Sequence, residues 1–217
     1  IKGLRIGVPA NHFYDTVTDD VRKALSHSLR VFRSLGAKIV RLKVPDPAPY
    51  YVLNDLITKC EGAVIHGKWL RERPQDYSEY LRARLEGGLH IPAARYIEAL
   101  TLRGPALAEF LDGVMSKIDV LHCPVIPIPV PTLDDMDPSG ADPKALEKTG
   151  RLPALTRIFN YLGVPSLAVP CGFADNGLPV SFQVVARPLD EARLFAVAHA
   201  YQGVTDWHQQ MPPGPHS

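Results

Sequence analysis

The first 44 residues alternate between apolar and polar positions in a pattern that predicts a strand, a helix and a second strand. Residues 4–8 form a short apolar run, and apolar residues then recur at helical spacing over residues 21–35. Thr18 is placed to cap the first amides of this helix, and Gly36 is placed to end it. Residues 37–44 predict the second strand. Because one helix and a short return join the two strands, we expect them to be parallel.

The middle of the chain predicts a layer of helices over residues 50–73, 75–86 and 92–118. Gly104-Pro105 predicts a kink in the third of these helices. The first helix has a predicted buried stripe that consists of Val52, Leu56, Ala63 and Trp69.

The segment that follows is dominated by prolines and then by polar residues. Residues 119–123 predict a short buried strand, and the four prolines of residues 124–131 force an extended path. Apolar residues lie between these prolines, which favours a pocket-lining loop over a polyproline ligand. Residues 133–151 are polar and rich in Asp, Pro and Gly, and they predict a mobile surface loop.

The C-terminal third predicts a helix that leads into two strands. The helix covers residues 152–162, and Gly163 follows where a C-terminal cap needs a positive φ. Residues 166–169 predict a buried strand, and an Asp-Asn-Gly turn leads to a second strand over residues 178–186. We expect this antiparallel pair at the centre of a sheet. A last helix covers residues 188–201, and no linker divides the chain, so we predict a single domain over residues 1–217.

Composition argues against several classes of protein. The net charge of +1 gives no electrostatic attraction to nucleic acid or to membranes. No apolar run approaches the roughly 20 residues of a membrane span. Three widely spaced cysteines predict neither a disulfide framework nor a metal site, which favours the cytoplasm. The first strand lacks the glycine-rich turn of a dinucleotide site, and the absence of an initiator Met suggests that the chain begins within a longer protein.

The residue pattern contains no complete catalytic set and no metal site. Ser166 and Ser181 lie in predicted strands, outside any Gly-x-Ser-x-Gly elbow, and we interpret them as packing residues. Cys171 lies at a tight turn, where it is either a reactive thiol or a small buried residue. His122 and Cys123 are adjacent on a strand, so their side chains point to opposite faces and do not chelate one metal ion.

Several segments, in their order along the chain, resemble the second half of the amidase signature family. The resemblance covers roughly residues 4 to 213, and each segment is weak evidence by itself. The segments are residues 4–9, 34–37, 60–63, 82–85, 119–124, 156–160, 163–165, 169–172 and 177–179, with His66, Gly88, Gln183 and Trp207-His208.

The resemblance implies an α/β fold with a mixed β-sheet covered by helices, and an enzyme that hydrolyses carboxylic amides without a cofactor. Enzymes of this family use a Ser–cis-Ser–Lys triad whose serines lie in a Gly/Ser-rich run. Neither that run nor a matching lysine is present in these residues. The resemblance therefore implies that this chain is the C-terminal part of a larger amidase domain. Its partners would be the N-terminal half and a small-molecule amide substrate, with a homo-oligomer left open.

Four residues are candidates for the wall of the substrate pocket. The resemblance carries over Thr156 and Phe159, which precede the family's asparagine, and also Arg84. Ile126 is our own inference from its apolar place in the proline-rich segment.

The resemblance also bears on the substrate. Glutamine-dependent amidotransferases of the family have an aspartate seven positions before the asparagine that Asn160 matches. This chain has Pro153 at that position, which argues against glutamine and favours a general acylamide.

Three hypotheses follow for the function. In the first, the chain is the C-terminal part of an amidase, and the isolated chain is inactive and prone to self-association. In the second, it is a stand-alone binding or regulatory module derived from an amidase, without catalytic activity. In the third, it is an unrelated α/β binding domain, whose strand order would differ from that of an amidase sheet.

Overall fold

The computed structural model of the protein describes residues 1–133, 135–136 and 142–211. These residues form five strands, β1 to β5, which are Arg5–Pro9, Lys38–Leu42, Val120–Pro124, Ser166–Phe173 and Pro179–Val185. The strands make one sheet in the order β2-β1-β3-β5-β4. Strand β1 is parallel to β2 and β3, whereas β5 is antiparallel to β3 and β4. The predicted α/β fold with a mixed sheet is confirmed.

Eight α-helices, α1 to α8, lie in the described part of the chain. They are Asp19–Ser34, Ala48–Glu72, Glu79–Gly88, Ala93–Thr101, Arg103–Phe110, Pro143–Arg151, Arg157–Leu162 and Glu191–Gln202. Short 3₁₀ turns occur at Pro74–Asp76 and Trp207–Gln209, and a π-helical turn occurs at Leu111–Met115.

The chain divides into two compact units, which we describe separately. The first unit contains residues 1–44, 111–130 and those from 164 onward, and it holds the sheet with α1 and α8. The second unit contains residues 45–110 and 131–163, and it is built from α2 to α7. One domain over residues 1–217, as part of a larger amidase domain, stays a prediction.

Helices α1 and α8 of the first unit both pack against the sheet. The predicted inward face of α8 is confirmed, because Leu194, Val197, Ala198 and Tyr201 are all buried. The start of α1 differs from the prediction that Thr18 caps the first amides. The Thr18 hydroxyl instead donates to Asp20 Oδ1 at 2.7 Å, and the same oxygen accepts the Val21 amide at 2.8 Å.

Strand β4 does not lie at the centre of the sheet, as predicted, but at an edge of the described sheet. Strand β5 occupies the place beside β3, so β4 pairs only with β5. Of residues 166–169 only Val169 is buried. The strand also continues past Pro170 through an irregularity in register before Gly172. A proline is tolerated there because an edge strand can leave a missing N–H on its open side.

Helix α2 of the second unit packs against α3, α4 and α7. Its predicted buried stripe is wrong at two positions, since Val52 is 64% exposed and Trp69 is 43% exposed. The buried line instead runs through Ala63, Gly67 and Leu70, which share one face because they are four and then three residues apart.

Two further predictions for the second unit need correction. The predicted long helix is divided into α4 and α5 at Leu102, and Pro105 lies in the first turn of α5, where its missing N–H costs nothing. The predicted loop over residues 133–151 contains helix α6. The Asp142 carboxylate caps that helix by accepting the Lys144 amide at 2.9 Å. Residues 134 and 137–141 of this loop lie outside the described residues.

Candidate functional site

The start of α7 carries two of the four candidate wall residues. The Thr156 amide and hydroxyl both donate to the Pro153 carbonyl, at 3.2 and 3.1 Å. This pair of bonds to one carbonyl closes a tight turn immediately before the helix. At the other end, Gly163 has φ +71° and its amide donates to the Phe159 carbonyl at 2.9 Å, which confirms the predicted C-terminal cap. Helix α7 is therefore a short element that is fixed at both ends.

Phe159 is an inward-facing residue of α7. Its side chain is 2% exposed, and its ring meets Phe110 edge-on with the ring centres 6.3 Å apart. The next turn of the helix is held by Tyr161, whose hydroxyl donates to the Ala99 carbonyl at 2.8 Å. The Tyr161 carbonyl accepts from Arg103 Nε at 2.8 Å. Phe159 thus supports α7 from within the second unit, while Thr156 is only half-buried.

Arg84 lies on α3 and is held by an acidic partner on α2. Its guanidinium binds Asp55 at 2.8 Å and lies over the Tyr80 ring. Lys59 binds the other Asp55 oxygen at 2.7 Å. Burial opposes ionisation of Asp55, but the bonds from Lys59 and Arg84 prevail and hold the pKa of this carboxyl below its usual range. Two cations share one carboxylate, so the cluster keeps an excess positive charge.

Ile126 belongs to the first unit and lies on the proline-rich segment after β3. It is half-buried and lines a cavity of about 90 Å³ together with Ile128 and Val180. Thr156, Phe159 and Arg84 belong to the second unit, where α3 and α7 both pack against α2. Three of the four candidates therefore share one unit.

A chain of hydrogen bonds around His122 was not predicted from the sequence. His122 is fully buried on β3, with Nδ1 2.9 Å from the Tyr14 hydroxyl and Nε2 2.9 Å from Ser28 Oγ. Because the Ser28 hydroxyl donates to the Leu25 carbonyl at 2.7 Å, its oxygen must accept from Nε2–H. Nδ1 is then unprotonated and accepts from Tyr14. A histidine within an otherwise apolar strand was the available signal, since buried polar groups need partners.

This chain of hydrogen bonds includes a serine and a histidine, but it is not a nucleophile with its base. Ser28 is fully buried, so its hydroxyl is closed to a substrate. Burial also lowers the pKa of His122 to about 3, which makes the ring a poor base at neutral pH. The arrangement therefore has a structural role.

The cysteines of the sheet are equally unsuited to act as nucleophiles. Burial raises the pKa of Cys171 to about 12, and it also raises the pKa of Cys123 well above its ordinary value. Cys171 is 1% exposed, so the interpretation as a small buried residue is confirmed.

An open apolar groove beside α2 is a second feature that was not predicted. It has a volume of about 530 Å³ and is lined by Cys60, Glu61, Val64, Leu89, Ile91 and Tyr96, among others. The Tyr96 hydroxyl donates to Glu61 Oε1 at 3.1 Å at its edge. Val64 and Leu89 are 81% and 58% exposed, which their apolar character alone did not indicate.

The described residues offer neither a metal site nor a membrane span. No group of three or more His, Cys, Asp or Glu side chains is arranged to hold a metal ion within these ranges. Over the same residues, no helix combines the length and the apolar character needed to cross a membrane.

Comparison with known proteins identifies a family. The family model described as Amidase matches residues 1–195. An amidase of Pseudomonas putida is 34% identical over 98% of this chain and 45% of its own length. A glutamyl-tRNA(Gln) amidotransferase subunit of Thermosynechococcus vestitus is 31% identical over 98% of this chain and 48% of its own length. A crystal structure of an amidase superposes with a TM-score of 0.80 and 28% identity, over 94% of this chain and 46% of that one. The chain thus spans about half the length of the curated relatives it matches.

Proposed function

Because this chain belongs to the amidase family, we propose that it is the C-terminal part of an enzyme that hydrolyses the C–N bond of carboxylic amides. The observation that carries the proposal is the family match over residues 1–195, together with relatives at 34% and 31% identity across almost the whole chain. The match implies chemistry on an acyl carbon, with a nucleophile, a base and donors for the developing oxyanion.

The catalytic groups of this enzyme lie outside these 217 residues. Ser28 and His122 form a hydrogen-bonded serine–histidine pair among the described residues of the first unit, and both are fully buried. The proposed catalytic partner is therefore an N-terminal half that carries the Ser–cis-Ser–Lys triad.

The contribution of this chain is the wall that holds the acyl part of a small-molecule amide. Thr156 and Ile126 are half-buried and offer a hydroxyl and an apolar surface. Phe159 fixes α7 through its contact with Phe110. Arg84 keeps an excess of positive charge beside Asp55, which suits the oxygen of an acyl group. With proline in place of the aspartate at position 153, the proposed substrate is an acylamide other than glutamine.

The experiment compares the protein made from its full reading frame with the 217-residue chain. Ammonia release is measured for aliphatic amides, aryl amides and glutamine. We expect the full-length protein to hydrolyse at least one acylamide and to leave glutamine intact, while the isolated chain releases no more ammonia than buffer.

Each arm has an outcome that overturns one part of the proposal. A folded full-length protein that hydrolyses no amide would contradict the amidase assignment and favour a binding or regulatory module. Turnover by the pure 217-residue chain would show that the catalytic groups lie within it. Hydrolysis of glutamine would contradict the substrate assignment.

A further inference from the structure

Gln183 is a buried amide in the middle of the sheet. It lies on β5, opposite Cys123 of β3 and Ala168 of β4, and it is 2% exposed. An amide removed from water costs free energy unless its donor and acceptor atoms are both bonded. The partners of this side chain therefore indicate what it holds in place.

Hydrogen bonds to Pro124 and from Ser166 fix the orientation of the Gln183 side chain. Its Nε2 donates to the Pro124 carbonyl at 2.9 Å, and its Oε1 accepts the Ser166 hydroxyl at 2.8 Å. A carbonyl oxygen can only accept, so the amide nitrogen must face Pro124. The Pro124 carbonyl thus determines which way the side-chain amide of Gln183 faces, and Nε2 of that amide donates to this backbone group.

The Pro124 carbonyl is the last one of β3, where the segment that carries Ile126 leaves the sheet. The following amide, that of Val125, donates to the Ser181 carbonyl of β5 at 3.3 Å. Further along, the Thr18 amide donates to the Pro127 carbonyl at 3.0 Å. The Ile126 backbone is therefore held between two fixed carbonyls, and the first of them is fixed by a side chain.

Prolines in the segment after β3 explain why it needs a hydrogen-bond donor such as the Gln183 side chain. Pro127 and Pro129 have no N–H to donate, so the segment cannot continue as a paired strand. Beyond the Val125 amide, the anchors named here are carbonyl acceptors, and the donors to them come from other parts of the chain. The Asn176 side chain supplies a further one by donating to the Val130 carbonyl at 3.1 Å.

We propose that Gln183 is a positioning residue that sets the path of residues 125–130 and so places Ile126 in the substrate-pocket wall. The step from backbone position to substrate binding rests on the proposed function. Gln183 touches no substrate and acts through the Pro124 carbonyl. A carboxylate of the same shape cannot replace the amide, because it would present a second acceptor to that carbonyl.

The first test measures amide hydrogen exchange in the 217-residue chain with Gln183→Glu and Gln183→Met. Ser166→Ala is the matched control, because it removes the bond to Oε1 and leaves the Pro124 bond. Loss of one hydrogen bond to a buried carbonyl is worth about tenfold in a local opening equilibrium. We expect exchange in residues 125–130 to rise by about that factor in both Gln183 variants, with α8 and the Ser166→Ala chain unchanged.

Two results would overturn the positioning role. One is unchanged exchange in residues 125–130 in a folded Gln183→Met chain. The other is an equal rise over the whole chain, which would show that Gln183 stabilises the sheet as a whole. Gln183→Met is apolar and similar in length, so it remains informative if the glutamate variant does not fold.

The second test uses the protein made from its full reading frame and its best amide substrate. We expect Gln183→Met to raise KM about tenfold with kcat changed much less, and Ser166→Ala to change neither. If exchange rises but KM does not, Ile126 is not part of the pocket wall and the substrate step is overturned. If the wild-type protein hydrolyses no amide, the proposed function fails, while the exchange measurement still decides what Gln183 positions.

Discussion

The buried His122 makes the stability of this protein depend on pH. The neutral ring satisfies both neighbours, since Nδ1 accepts from Tyr14 and Nε2 donates to Ser28. A protonated ring has two donors, so the Tyr14 hydroxyl would face an N–H and would need to turn away. The ring also stacks on Phe182 and meets Phe32 edge-on, so apolar rings surround it where water would be needed to solvate a charge. The folded state therefore excludes the proton.

The size of this pH dependence follows from the pKa values of His122 in the folded and the unfolded chain. Burial lowers the pKa of His122 to about 3 in the folded chain, against 6.5 for an ordinary histidine. At a pH between these values the unfolded state binds a proton that the folded state does not. The stabilisation is thus complete above pH 6.5 and is lost as the pH falls toward 3. Between pH 7 and pH 5 the free energy of unfolding should fall by about 2 kcal/mol from this residue alone.

The assay is urea unfolding of the chain at pH 7, 6 and 5, with His122→Leu as the reference. The variant has a lower baseline, because Tyr14 and Ser28 lose their partner, but it has no titrating ring at this position. The other ionisable groups cancel in the comparison. Asp119, for example, has its pKa lowered by its bond to Arg5 and changes little above pH 5. We expect the wild-type free energy of unfolding to fall more steeply, by about 2 kcal/mol over the range.

Equal pH dependence in the wild type and in His122→Leu would refute this reasoning. If the variant does not fold, the His122 ring can be followed directly by NMR. Its carbon-bound protons should keep the chemical shifts of a neutral imidazole down to pH 5. A midpoint near pH 6.5 would contradict burial of the ring.

Two further predictions concern the second unit. At Gly88 an added Cβ would lie 2.1 Å from the Lys59 carbonyl oxygen, whereas at Gly87 it would meet nothing within 4 Å. Gly88→Ala should therefore lower the free energy of urea unfolding by about 2–3 kcal/mol, and Gly87→Ala should leave it unchanged or raise it by up to about 1 kcal/mol; equal effects would contradict the close packing of α3 on α2. In the full-length protein, Arg84→Gln should raise KM for the amide substrate about tenfold, because a charge-assisted contact is lost. The control Arg82→Gln, whose partner is Glu86 at 3.8 Å on the same helix, should leave KM unchanged, and equal effects would remove Arg84 from the pocket wall.

Local signals in the sequence predicted the elements whose ends are fixed by backbone geometry. Gly163 was expected to have a positive φ and has φ +71°. Helical spacing located α1, which has one apolar face, and also the four inward residues of α8, although α8 exposes Phe195 on another side. Local patterns also predicted the parallel pair β1–β2 and the antiparallel pair β4–β5, and the resemblance to the amidase signature family added their union in one mixed sheet.

The sequence patterns misplaced β4 and the buried face of α2, because contacts with distant parts of the chain determine both. The apolar run of β4 suits a buried central strand, yet β3 has the central place of the described sheet, and β4 lies at an edge beside β5. Helix α2 has exposed apolar residues on more than one face, including Val52 and Val64, so periodicity could not select the buried face. Helix α6 falls within the predicted loop, because residues 133–151 as a whole are polar and rich in Asp, Pro and Gly. Its own start signal, Asp142-Pro143, was present in that stretch.

His122 and Gln183 are buried polar residues whose hydrogen-bond partners the sequence patterns could not predict. Each interrupts an apolar strand, and their partners lie far away in sequence, 108 residues away at Tyr14 and 59 at Pro124. In register, His122 lies opposite Val184 and Cys123 lies opposite Gln183, so the two side chains project from opposite faces of the sheet. The face with His122 is tied to α1 through Ser28, whereas Gln183 reaches a segment that leaves the sheet. Loss of His122 should therefore weaken the whole first unit, and loss of Gln183 should release one segment from a sheet that stays folded.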